Sequence, residues 1–147
     1  MSYGENPGTV LSIDAASSLA DAYDKNVPFG HASAGKDLVV SLVETGADAG
    51  RAAVGTDGQR ILGKFVELHQ DRTLSYMPVA VPMVLRKDAS TIIPGRELLC
   101  AAAGKVKTVA EPGTTTLDSL LAASRSRGIA IEVLENTDNG RILAILP

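Results

Sequence analysis

The stretch Ile61–Leu85, ILGKFVELHQDRTLSYMPVAVPMVL, decides the fold class. It reads as three apolar β-segments, ILGKFVEL, TLSYM and VAVPMVL, broken at HQDR and at the bend Met77-Pro78. β-Branched, aromatic and large aliphatic residues dominate it, a composition suited to a pleated, half-buried surface. In the last segment Val79, Val81, Met83 and Leu85 fall on one face and Ala80, Pro82, Val84 and Arg86 on the other. Pro82 has no N–H to give to a ladder, so this strand is expected at a sheet edge or at a bulge. Nothing in the stretch forms a catalytic set, and the centre of the chain reads as scaffold.

The rest of the composition agrees. In 147 residues, 45% hydrophobic and 21% charged, one compact domain can bury a core without staples. With three Tyr, two Phe and no Trp, core volume must come from aliphatic residues, and no stacking platform for bases is present. Fourteen Gly and seven Pro among short apolar runs favour a mainly β fold over a helical bundle. The net charge of −3, without a dense Lys/Arg block, argues against nucleic acid as a partner. The single cysteine, Cys100, excludes an intrachain disulfide and reads as a buried thiol among aliphatic neighbours. No secretory signal and no membrane-spanning run is visible, so the chain is expected to be soluble and made in the cytoplasm.

Outward from the central stretch, DLVVSLV (37–43) is an apolar run of strand length, and Arg51–Val54 is a second short strand before a turn at Thr56-Asp57-Gly58. On the other side, Pro94-Gly95 turns into a strand at Glu97–Cys100, followed after Gly104 by Lys105–Val109. The 116–127 stretch carries the one persuasive helix pattern: Thr116 as N-cap, Leu117, Leu120, Leu121 and Ser124 at helical spacing, and Arg125 and Arg127 as end charges before Gly128. The chain closes with a hairpin, GIAIEVL (128–134) against RILAIL (141–146), turned at Asn139-Gly140. These elements predict a small β-sandwich or β-barrel over 37–147 with one short α-helix. Its central stretch would pair with the 97–109 strands and the terminal hairpin.

Residues 1–36 differ. They are small, polar and glycine-containing, with scattered apolar anchors at Tyr3, Val10, Leu11, Ile13, Leu19, Tyr23, Val27 and Phe29. Asp14 or Ser17 could cap a short helix reaching Asp24. The segment reads either as a strap packed on its own body or as an extended arm that orders on a neighbouring subunit or another protein.

No pattern carries chemistry. His31 and His69 lack a second-ligand spacing, so neither a metal nor any other cofactor is expected; His69 reads as a solvated turn residue. Ser33 lacks the strand and helix that flank a nucleophile elbow. Gly35-Lys36 is followed by Asp37, not by the hydroxyl of a phosphate loop. An enzyme would have to be assembled at a subunit interface, from His69, Asp71 and Arg72 of each protomer. A ligand-binding β-barrel would need an aromatic-lined pocket from five aromatic residues.

The order of elements nevertheless resembles a family. DLVVSLV, ILGKFVEL with TLSYM, VAVPMVL, PGRELLC, AAGKVKTV, and GIAIEVLEN with GRILAIL follow the sequence of strands in tailed-phage capsid cement (head decoration) proteins, across about three-quarters of the chain. The resemblance implies a non-enzymatic structural virion protein that binds the outer surface of a phage capsid and cements neighbouring subunits. It also implies the major capsid protein as partner, a homotrimer as assembly, and the virion as location. Tail protein is the nearest alternative. The capsid contacts would then fall on Tyr3, Val10, Leu11, Ile13, Leu19, Tyr23 and Phe29. The long N-terminal segment and the Leu/Ala/Arg-rich 116–127 stretch depart from the family pattern.

Overall fold

The computed structural model describes residues 10–20, 37–78, 80–109, 117 and 124–147. It is mainly β, with ten strands in several antiparallel sheets among the described residues. In chain order these are β1 (Leu11–Asp14), the short helix α1 (Ser17–Ala20), β2 (Val39–Leu42), β3 (Ala52–Val54), β4 (Gly63–Leu68), β5 (Thr73–Met77), β6 (Ala80–Arg86), β7 (Leu98–Cys100), β8 (Val106–Thr108), β9 (Ile129–Val133) and β10 (Arg141–Leu146). Of the helix expected over 116–127, the N-cap Thr116 and most of the apolar face lie outside the described residues; Ser124 and Arg125 are helical.

The central stretch does not stay in one sheet. β4 and β5 sit in a five-stranded sheet ordered β1-β5-β4-β2-β3, whereas β6 crosses at Met77-Pro78 into a three-stranded sheet ordered β6-β10-β9. β7 and β8 form a third, two-stranded sheet. Isolated bridges, Lys87 to Val106 and Glu97 to Ile129, tie β8 to the end of β6 and the entry of β7 to β9. The five strands therefore run β6-β10-β9-β7-β8 and back to β6. The larger sheet curls in the same sense. The chain leaving β1 meets β3 at the Ala15–Ala52 bridge, where the Ala16 N–H donates to the Ala52 carbonyl at 2.8 Å. Each single bridge covers one end of an outer strand, and the rest of β1 and β6 remains an edge.

Two cores follow from the two-residue period of the strands. Val40, Phe65, Leu68, Leu74 and Tyr76 pack with Ala15 and Ala52 inside the curled sheet, with Ile13, Leu19 and Leu62 against them. Their neighbours Val39 and Met77 point the other way. They join Ile61, Met83, Leu85, Leu98, Cys100, Val106, Ile142 and Leu146 in the larger core. A bulge at Val66, between the pairs Phe65–Tyr76 and Glu67–Ser75, returns Leu68 to the first core. Pro82 lies on the outer strand of its sheet. It also falls where the register slips, since Val81 and Pro82 together oppose Ile145 alone.

Charged groups stitch the seam between the sheets. Asp37, in the left-handed region at φ 60° just before β2, forms ion pairs with Lys64 Nζ at 3.2 Å and Arg86 Nη2 at 3.5 Å, joining the entry of β2 to β4 and β6. Lys87 is 1% exposed, and its ammonium donates to the carbonyls of Asp88 (2.7 Å) and Thr137 (3.2 Å), which pins the β9–β10 turn to the end of β6.

Candidate functional site

The residues expected to meet a partner fall into two groups. Tyr3, Tyr23 and Phe29 lie outside the described residues. Val10, Leu11, Ile13 and Leu19 belong to a strap on the body. Leu11 pairs with Tyr76 and Ile13 with Leu74 as β1 adds to β5. Ile13 and Leu19 turn inward to the first core, while Val10 and Leu11 remain 48% and 43% exposed. The strap thus divides its apolar residues between closing its own sheet and facing outward.

Side-chain contacts add to the β1–β5 ladder in holding it. The Ser17 amide and hydroxyl donate to the two carboxylate oxygens of Asp48, at 3.1 and 3.0 Å, so the β2–β3 loop supplies a cap to the start of α1. These bonds, the Ser17 hydroxyl first, hold the Asp48 carboxyl below its ordinary value, and Arg51 at 3.2 Å adds to the effect. Ser12 and Ser75 face each other across β1 and β5, with their hydroxyl oxygens 3.2 Å apart.

His69 completes this cluster. It is a half-buried residue with Nε2 2.5 Å from the Ser75 hydroxyl oxygen, not the solvated turn residue its neighbours in sequence suggest. The β4–β5 turn folds back, with the His69 N–H donating to the Thr73 carbonyl, and this carries the ring over β5. Asp71 turns to the Thr73 hydroxyl and amide, which hold its carboxyl below the usual range. Ser75 is 6% exposed beneath β1, so the pair acts as a pin between strap, strand and turn. Among the described residues no group of three or more His, Cys, Asp or Glu is placed to hold a metal ion.

A second surface was not visible in the sequence. A cleft of about 460 Å³ lies between the end of β2 and the run 59–62 leading into β4, with Leu42, Ile61 and Leu62 as apolar walls and Glu44, Gln59 and Arg60 at the polar positions. Arg127 borders it, and its position corrects the reading of that residue as a solvated end charge. Its Nη1 donates to the carbonyls of Ile61 (3.1 Å) and Leu62 (2.5 Å), and its Nη2 to the Pro78 carbonyl and to a main-chain oxygen of Pro147. One guanidinium therefore clamps the entry of β4, the crossover into β6 and the last residue. Burial, reinforced by the charge of Arg60, lowers the Arg127 pKa from its ordinary value.

Large apolar side chains also face outward on β9 and just beyond it: Ile129 and Ile131 on one side of the strand, 44% and 39% exposed, and Leu134 at 46%. Among the described residues no helix is long and apolar enough to cross a membrane. No protein-family model matches the chain, and no curated protein matches it.

Proposed function

We propose that this chain is a structural virion protein that binds the outer surface of a phage capsid and cements neighbouring capsid subunits. The observation that carries the reading is the divided strap: a β-body closed by residues 11–20 that turns Ile13 and Leu19 inward yet leaves Val10 and Leu11 facing out. A cement protein needs a stiff body that keeps its shape under load and apolar contacts that lose water only on the shell. Exposed apolar residues grouped at a strand edge meet the second need. The order of strands, which resembles that of head decoration proteins, supports the same reading. The partner is the major capsid protein, engaged by segment 1–36. A homotrimer fits best, because linked copies turn later contacts into intramolecular ones and raise a modest single-site affinity.

The test separates folding from docking. Val10→Ser with Leu11→Ser removes outward apolar surface and leaves Ile13, Leu19 and the β1–β5 ladder in place. The double variant keeps the melting temperature of the parent and loses occupancy on purified capsids in a sedimentation assay. Full occupancy by the variant removes the strap from the interface.

A further inference from the structure

We infer that Asn139 is a site of spontaneous covalent modification, deamidation to isoaspartate, which is held off while the β9–β10 turn is seated on β6 and released when the turn lifts. The fold itself imposes the labile pair. Asn139 occupies the third position of the turn 137–140, in the left-handed region at φ 63°, which Asn adopts more readily than most residues. A side chain at Gly140 would run into the carbonyl oxygens of Glu135 and Thr137. An Asn-Gly pair is also open to succinimide chemistry, because glycine carries no side chain to screen its nitrogen from the carboxamide before it. The Gly140 nitrogen, giving up its proton to a base, bonds to Asn139 Cγ, and the bond from Cγ to the amide nitrogen breaks to release ammonia. Water then opens the ring at either carbonyl, giving aspartate or isoaspartate. In isoaspartate the main chain runs through the former side chain and is longer by a methylene.

The seated turn denies that attack. Asn139 is exposed to water, but Gly140 is buried. The Gly140 N–H donates to the Thr137 carbonyl and the Gly140 carbonyl accepts from the Lys87 N–H, both at 2.9 Å. The Asn139 N–H donates to the Lys87 carbonyl at 2.9 Å, and the Asn139 carbonyl accepts from Arg86 Nη1 at 3.1 Å. All four main-chain groups of the pair are therefore committed, and the nitrogen cannot turn on the carboxamide without breaking several bonds at once. The buried Lys87 ammonium adds to the lock, since it donates to the same Thr137 oxygen that holds the Gly140 N–H. The neighbouring carboxylates are occupied too, Asp138 by Lys105 Nζ at 3.0 Å and Glu135 by Arg141 Nε, so neither is a ready base. The added methylene of isoaspartate shifts Gly140 out of register with Lys87, so a turn modified while open does not reseat. The inference does not rest on the capsid reading, because the chemistry belongs to the turn alone.

The test is peptide mapping by mass spectrometry, with fragmentation to separate Asn139 from Asn136, after the full chain is incubated at mildly alkaline pH and well below its melting temperature. The reference is the peptide acetyl-Glu-Asn-Thr-Asp-Asn-Gly-Arg-amide, which carries the sequence of 135–141 without the fold. Asn139 deamidates at least about tenfold more slowly in the chain than in the peptide, a ratio set by how seldom the turn opens. Lys87→Met withdraws the ammonium from the Thr137 carbonyl and raises the rate about tenfold, with circular dichroism to check that the body is folded. In the parent chain, urea below the unfolding transition raises the rate in step with exchange of the Gly140 amide, which keeps the test open if Lys87→Met does not fold. Asn139→Asp adds the charge without the methylene and keeps the Lys87 amide protected from exchange, whereas the isoaspartate form loses that protection. Equal rates in chain and peptide, a folded Lys87→Met no faster than the parent, or modification that does not follow Gly140 exchange overturns the inference.

Discussion

At the scale of single residues, burial and hydrogen bonding set two testable properties. Cys100 is fully buried in the larger core, and loss of water, with the Asp57 carboxylate nearby, pushes its thiol up to about 12. It is therefore inert to a disulfide reagent at pH 8 in the folded chain and reacts stoichiometrically once denaturant is added; rapid labelling in the native state would contradict this packing. Asp48 gives a pH dependence of determinable sign. Its carboxyl is held below 3.8 in the fold by the Ser17 hydroxyl first and the Ser17 amide next. The anchoring is then present above the unfolded pKa and is lost as pH falls through the lower folded value. Amide exchange at Ser17 and Leu19 should accelerate on acidification below about pH 4, the ordinary carboxylate range, and Asp48→Asn should exchange faster at neutral pH and lose much of that acid dependence. Cys100 was legible from its neighbours LLCAAAG. The Asp48 cap was not, because its partner lies 31 positions away.

At the scale of elements, the strands expected from apolar runs correspond closely to the structure, from β2 through β10, and Pro82 sits at both an edge and a bulge. The misses have two physical causes. β1 is four residues long, and its alternation of Leu11 and Ile13 with Ser12 and Asp14 is too brief to stand out from loop; pairing with β5 and the first core decides it. Arg127 reads as a helix-end charge because no local pattern announces four main-chain oxygens brought together from positions 61, 62, 78 and 147. That clamp makes a prediction. Arg127→Lys keeps the charge but cannot span the carbonyls with one ammonium, and it should cost about 1–3 kcal/mol, read as a lower urea midpoint with an unchanged slope. A midpoint equal to that of the parent would show that the clamp is dispensable.

At the scale of the whole molecule, the mainly β class was legible, while the closing of each sheet by isolated bridges was not, since bridges such as Lys87–Val106 and Glu97–Ile129 are single contacts without a sequence period. The central stretch is less a spine of one sheet than the link between two, with β4 and β5 in the curled sheet and β6 in its neighbour. Residues 11–20 have a corresponding importance: removing them would open the core around Leu68 and Leu74, so an N-terminal deletion tests stability and docking together, whereas Val10 and Leu11 can be changed alone. The candidate surfaces follow the same logic. Val10 and Leu11 were found as apolar anchors in a polar segment, but the Arg60 cleft exists only because β2 and the run into β4 lie side by side. Electron cryo-microscopy of particles assembled with and without this chain is the decisive measurement of the proposed cementing role. A cement protein adds density on the outer capsid surface that fits the β-body, with the strap edge toward the shell and each body bridging adjacent capsid subunits. Identical capsid surfaces in the two preparations, or density confined to the tail, would contradict it.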